Sequence, residues 1–146
     1  MDVYEPLRDR FAFRLGEVAR AWRLQADRKL RIHGLTLAQW LVLRALDRHG
    51  EGLVQREIAK EIGVEGPTLV RLLDKLAEAD LIERRELAHD RRYKTVLLSA
   101  KAKERIPEFQ DVLAQVRYDF LTNVDEEDLE VCLRVFDRLL SHSPKD

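Results

Sequence analysis

Apolar residues recur at three-and-four spacing through Leu7, Phe11, Leu15, Val18, Ala19, Trp22, Ala26 and Leu30, which is the period of one helix face. This predicts a long amphipathic helix ended by His33 and Gly34. Thr36 is placed to cap a second helix, whose Trp40, Leu43 and Leu46 form an apolar stripe before His49 and Gly50 stop it. Gly50 and Gly52 mark a loop. Gln55 to Ile62 then predicts a short helix burying Ile58, Ala59 and Ile62, with Gly63 as the turn and Val64 as a buried plug. Pro67 suits the first turn of the next helix, capped by Gly66 or Glu65. That helix buries Leu69, Leu72, Leu73 and Leu76 and ends near Asp80, so the pair has a helix-turn-helix pattern.

The period then changes. Leu81 to Leu87 and Tyr93 to Leu98 predict two strands, with Ala88, His89, Asp90 and Arg91 as the turn between them. Ser99 can cap a long helix carrying Ile106, Phe109, Leu113, Val116 and Phe120, which Pro107 is expected to bend. A last helix from about Asp125 carries Leu129, Cys132, Val135, Phe136 and Leu139. Its clustered acids fall in the first turn, where they complement the helix dipole. The expected fold is mainly α with a small β-hairpin wing: an N-terminal helix over 1–35, a winged helix-turn-helix over 36–98 and C-terminal helices over 99–146, in one folding unit. The outer helices carry more apolar surface than a small winged core can cover. They are therefore expected to pack on each other or on a second subunit, giving a twofold homodimer.

Composition adds little until charge is located. The 146 residues have a formal net charge of -1, so global charge gives no support for nucleic-acid binding. Locally, however, Arg84, Arg85, Arg91, Arg92 and Lys94 crowd the hairpin. No basic start leads into an apolar run, and no stretch has the roughly 20 apolar residues of a spanning helix, so no membrane association is expected. A single cysteine, Cys132, allows no intrachain disulfide and, with the missing signal, leads to a cytoplasmic expectation.

A helix flanked by phosphate contacts fits a major groove about 12 Å wide. The helix from Gly66 presents Glu65, Thr68, Arg71 and Lys75 opposite its leucines. Arg71 can reach guanine or phosphate, and Thr68 a phosphate or a thymine methyl; an ordinary solvated face is the plain alternative. Arg91, Arg92 and Lys94 near a hairpin tip can equally serve solubility or guard a sheet edge. Yet an arginine on a narrow tip can enter a minor groove, with Asp90 positioning the turn. The adjacency of the two parts is more specific than either part alone.

Glu57-Ile58-Ala59 through Gly63, the run from Glu65-Gly66-Pro67-Thr68 to Leu76, and His89-Asp90-Arg91-Arg92 followed by Leu97-Leu98-Ser99 resemble the MarR family and its SlyA-like branch. Ala21-Trp22-Arg23 and Leu35 to Trp40 extend the resemblance over nearly the whole chain, and the Asp-x-Arg wing signature falls on Asp90 and Arg92. The resemblance implies a DNA-binding face of Gly66, Pro67, Thr68, Arg71, Lys75, Asp90, Arg91, Arg92 and Lys94. In it, the Gly66 helix reads the major groove of a pseudo-palindromic operator and Arg92 enters the minor groove. It further implies release from DNA by a small aromatic acid or phenol, at positions matching Arg20, Trp40, Arg44 and Arg71; a repressor is expected, although activation is equally compatible with the sequence. Core packing is the plainer role for Trp40, and solvation for the arginines.

The family's oxidant-sensing cysteine lies in the first helix, whereas Cys132 lies on the last helix's apolar stripe and is expected to be inert core filler. His33, His49, His89 and His142 lack paired metal-ligand spacing, so no metal or other cofactor is assigned. No nucleophile with a base, paired carboxylates or phosphate loop supports an enzyme. The competing function is a winged-helix module that binds protein without specific DNA binding.

Overall fold

Polar caps at Thr36 and Ser99 and positive-φ glycines at Gly50 and Gly63 set several of the element boundaries. The computed structural model describes residues 6–50, 52–87 and 90–144, with the side chains of 87 and 90–94 excepted. Its elements are α1 (Leu7–Ile32), α2 (Leu37–His49), β1 (Leu53–Val54), α3 (Gln55–Ile62), α4 (Gly66–Glu78), β2 (Ile82–Leu87), β3 (Asp90–Leu98), α5 (Ala100–Leu121) and α6 (Glu126–His142). The expected class holds among the described residues: a mostly helical chain with a small antiparallel sheet. Two compact units divide it, Met1–Val116 and Arg117–Asp146.

In the first unit, Thr36 and Gln39 form a reciprocal cap. The Gln39 backbone N–H donates to the Thr36 hydroxyl at 3.1 Å and the Thr36 backbone N–H to the Gln39 side-chain Oε1 at 2.9 Å, satisfying two otherwise orphaned donors of α2. Gly63 ends α3 in the left-handed conformation at φ 72° and donates its N–H to the Ala59 carbonyl. The core gathers the end of α1 (Ala26, Leu30), the apolar face of α2 (Trp40, Val42, Leu43, Leu46), and Ile58, Leu69, Leu73 and Leu76 of the helix-turn-helix. Ile82 and Val96 of the sheet, and Ile106, Phe109 and Leu113 of α5, complete it. Leu72, Ala59, Ile62 and Val64 pack on it while only partly buried.

The sheet has the order β1-β3-β2, all antiparallel. The sequence pattern missed β1, reading its surroundings as a loop. A two-residue strand has no period to detect; only its pairing of Leu53 with Val96 and Val54 with Thr95 defines it. Gly52 precedes it at φ 92°, where a Cβ would lie 2.6 Å from the Thr95 methyl, so glycine is required both by conformation and by space. β3 begins at Asp90 instead of Tyr93. A register irregularity between Glu86 and Leu87 takes up the extra residues, so the backbone of Asp90 and Arg91, expected in the turn, is strand. Ala88 and His89 of the expected turn lie outside the described residues. α4 stops at Glu78, with Asp80 at φ 58° beyond it, and α5 runs through the exposed Pro107.

In the second unit, Asp125 is the N-cap residue before α6, and Glu126, Glu127 and Asp128 occupy its first turn as expected. None of the helix is buried, and Val131, Leu133, Phe136, Leu139 and Leu140 are exposed. Cys132 is likewise exposed, which overturns its reading as buried filler: helical spacing locates an apolar stripe but does not establish that the stripe is buried. The same holds for the first part of α1 in its own unit, where Leu7, Phe11, Leu15 and Val18 are all exposed.

Candidate nucleic-acid interface

α4 divides sharply by burial. Leu69, Leu73 and Leu76 face the core, while Gly66, Pro67, Thr68, Arg71 and Lys75 are exposed along the remaining surface. Glu65 takes the extended N-cap conformation and its carbonyl accepts the Leu69 N–H at 3.1 Å; Pro67 sits in the first turn, where its missing N–H is no loss. The Arg71 guanidinium reaches only the Pro67 carbonyl of its own helix, at 3.4 Å. Neither Arg71 nor Lys75 meets a carboxylate among the described residues, so both charges are available to an anionic partner.

Ser99 joins this helix to the wing. Its hydroxyl donates to the Asp80 carbonyl at 2.6 Å and accepts the Ala102 N–H at 3.0 Å, while its backbone N–H donates to the Leu81 carbonyl at 3.1 Å. One buried serine therefore ties the exit of α4, the end of β3 and the start of α5. The Lys101 ammonium adds a charge-assisted bond to the Ala79 carbonyl at 3.0 Å, at the negative end of the α4 dipole. Across the α4–wing junction, Arg84 of β2 pairs with Asp74 of α4 at 2.7 Å. The backbone of Asp90, Arg91, Arg92 and Lys94 belongs to β3, next to β2; their side chains lie outside the described residues.

A sequence model of the MarR family matches residues 33–92, spanning α2 to the wing. The chain is 44% identical to the transcriptional regulator PA3341 over 90% of its own length and 96% of that chain, with a TM-score of 0.77. The chain belongs to the MarR family. It is also similar to S. aureus MepR, solved as a DNA complex, at 26% identity over 91% of this chain and 98% of that one (TM-score 0.81). MarR itself matches at 25% identity over 90% and 95%, with a TM-score of 0.78.

Within this MarR-family chain, the expected effector positions do not act alike. Trp40 is a core residue, 5% exposed, with its ring edge-on to Phe109 at 6.0 Å between centroids. Arg20, Arg44 and Arg71 are exposed on α1, α2 and α4, and no hydrogen bond or ion pair joins them to one another among the described residues. The junction of α1, α2 and α5 is held instead by residues that spacing did not single out. Arg105 donates to the His33 carbonyl at 2.6 Å and lays its guanidinium 4.7 Å from the Phe109 ring centre. His33 and Arg105 both bond Glu108, at 2.7 and 3.3 Å, and hold its carboxyl below the usual range, with His33 the larger cause. Asp27 is lowered first by the Arg31 guanidinium at 2.6 Å and then by the Leu37 N–H at 2.9 Å, which fastens the end of α1 to the start of α2.

His33 and His49 each pair with a carboxylate, Glu108 and Glu61 respectively. No group of His, Cys, Asp or Glu among the described residues is arranged to hold a metal ion, and no described helix is long and apolar enough to cross a membrane. The Ser99 cap was legible as a polar residue before an apolar helix, but its bond to Asp80 was not. Arg84–Asp74 likewise has no sequence signal, because a strand-to-helix pair follows neither period.

Proposed function

We propose that the chain is a sequence-specific double-stranded-DNA-binding transcriptional regulator of the SlyA-like branch, working in the cytoplasm as a homodimer on a pseudo-palindromic operator. The observation that carries this reading is the exposed polar face of α4, with Arg71 and Lys75 free of carboxylate partners among the described residues and the wing braced beside it. The similarity to a relative crystallised with DNA supports it. In this reading Gly66, Pro67, Thr68, Arg71 and Lys75 meet the major groove and its phosphates, and Asp90, Arg91, Arg92 and Lys94 bring the wing to the flanking minor groove, with Arg92 inserted. The exposed apolar faces of α1 and α6 are each covered by the second copy, which sets the two α4 helices about one DNA turn apart, near 34 Å.

The regulator acts as a repressor by overlapping a promoter, and a small aromatic acid or phenol releases it by favouring a dimer whose helix spacing fits DNA poorly. Arg20, Arg44 and Arg71 are the carboxylate partners in that scheme. Trp40 contributes through the packing of the pocket wall. Selection of randomised duplex DNA by the purified protein, followed by anisotropy titration over a range of salt, tests the reading. Enrichment of a palindrome with salt-dependent affinity is expected, and benzoate then serves as the probe for release. No enrichment and no salt-dependent affinity would put a protein-binding winged-helix module in its place.

A further inference from the structure

Asp74 places a carboxylate on the exposed side of α4, one turn beyond Arg71 and next to Lys75. Bare, that charge would repel the phosphates that the proposed function brings to this helix. Arg84 neutralises it through Nη2 and Oδ1 at 2.7 Å, with the two side chains 29% and 52% exposed. Strand alternation puts Arg84 on the same face of β2 as the buried Ile82, so its guanidinium leaves the sheet on the side of α4. The adjacent Arg85, on the opposite face, pairs within its own strand with Glu83 at 3.1 Å. A pair this accessible to solvent contributes little to folding. What it does set is the charge of the α4 surface and the attachment of the wing's base to that helix.

We propose that Arg84 and Asp74 are positioning residues for DNA discrimination: their ion pair masks a carboxylate on the reading helix and holds the wing against it, so preference for an operator over random duplex depends on the pair. This rests on the DNA-binding reading above. The test titrates the parent protein, Asp74→Asn, Asp74→Glu and Arg84→Gln against a duplex enriched by selection and a scrambled duplex of equal length, over a range of salt.

Asp74→Asn removes one negative charge and frees Arg84 for phosphate. The scrambled duplex then binds more tightly, the slope of log affinity against log salt steepens by about 0.9, and the operator-to-scrambled ratio falls about tenfold. Arg84→Gln leaves the carboxylate bare, so both duplexes bind more weakly and the ratio falls again. Asp74→Glu keeps the pair and retains the ratio to within about twofold. Thermal melts followed by circular dichroism show whether the variants fold like the parent. Folded Asp74→Asn and Arg84→Gln proteins with the parent's slope and ratio overturn the inference alone. A parent that binds neither duplex overturns the DNA reading, and this inference with it.

Discussion

Helix α2 and helix α6 are both amphipathic, yet they meet opposite fates in this chain. In α2, Trp40, Val42, Leu43, Ala45 and Leu46 are all buried, and the polar start is closed by the Thr36–Gln39 cap. In α6, no residue is buried and Phe136 is 39% exposed. Periodicity is equally clear in both, so it reports only that a helix has an apolar face, not what covers that face. The winged-helix part supplies its own cover from α3, α4, the sheet and α5. The apolar residues of α6 and of the first half of α1 are instead exposed, each in its own unit, and apolar faces of that extent are characteristic of association surfaces. The part of the molecule proposed to read DNA is thus stabilised within one chain, whereas in the homodimer proposed above the geometry that spaces two such parts depends on the second copy.

The sharpest way to break this contrast is to empty the self-covered core. Phe109, fully buried between Trp40 and the Arg105 guanidinium, should cost about 3–5 kcal/mol when changed to Ala, read from chemical denaturation. Charging the uncovered face should do something different. Leu133→Glu with Phe136→Glu is expected to weaken self-association about hundredfold, or about 2.7 kcal/mol, in sedimentation equilibrium. The near-ultraviolet circular dichroism of the Trp40 environment should stay unchanged. Equal loss of core structure in both experiments would erase the distinction between the two regions.

Two smaller effects sharpen the account of how the self-covered part is fastened. Ser99→Ala removes a cap from α5 and strands the Asp80 carbonyl, for an expected loss of about 1–2 kcal/mol in denaturant unfolding. Asp27→Asn should lose less than about 1 kcal/mol, because the ion pair with Arg31 is partly exposed. That loss has a definite pH signature. The folded carboxyl titrates below its ordinary value of 3.8, so its stabilisation is present above that pH and disappears as pH falls through the folded value. Parent and variant should therefore differ at neutral pH and converge once the pH has fallen through the folded carboxyl's lowered pKa, whereas a constant gap would assign the loss to packing.

Much of this protein was legible without its structure. Helix starts and stops at Thr36, Gly50, Gly63 and Ser99, the helix-turn-helix over α3 and α4, and the buried leucines of α4 all follow from local rules: a capping oxygen, a glycine able to adopt positive φ, and one apolar face every 3.6 residues. The candidate reading face was legible for the same reason, since knowing which side of α4 is apolar leaves Thr68, Arg71 and Lys75 on the other.

What local rules do not carry is pairing between elements distant in sequence. Strand β1 exists only through β3, the extension of β3 back to Asp90 only through its irregular register with β2, and the joint roles of Ser99, Arg105 and the Arg84–Asp74 pair only through the packing of separate elements. Cys132 makes the same point in reverse, since its apolar stripe predicted burial and the chain left it exposed. Sequence alone determined which faces are apolar and where helices begin and end, because those depend on neighbours along the chain. Tertiary structure alone decided which of those faces are covered and which charges meet, because burial and ion pairing depend on neighbours in space.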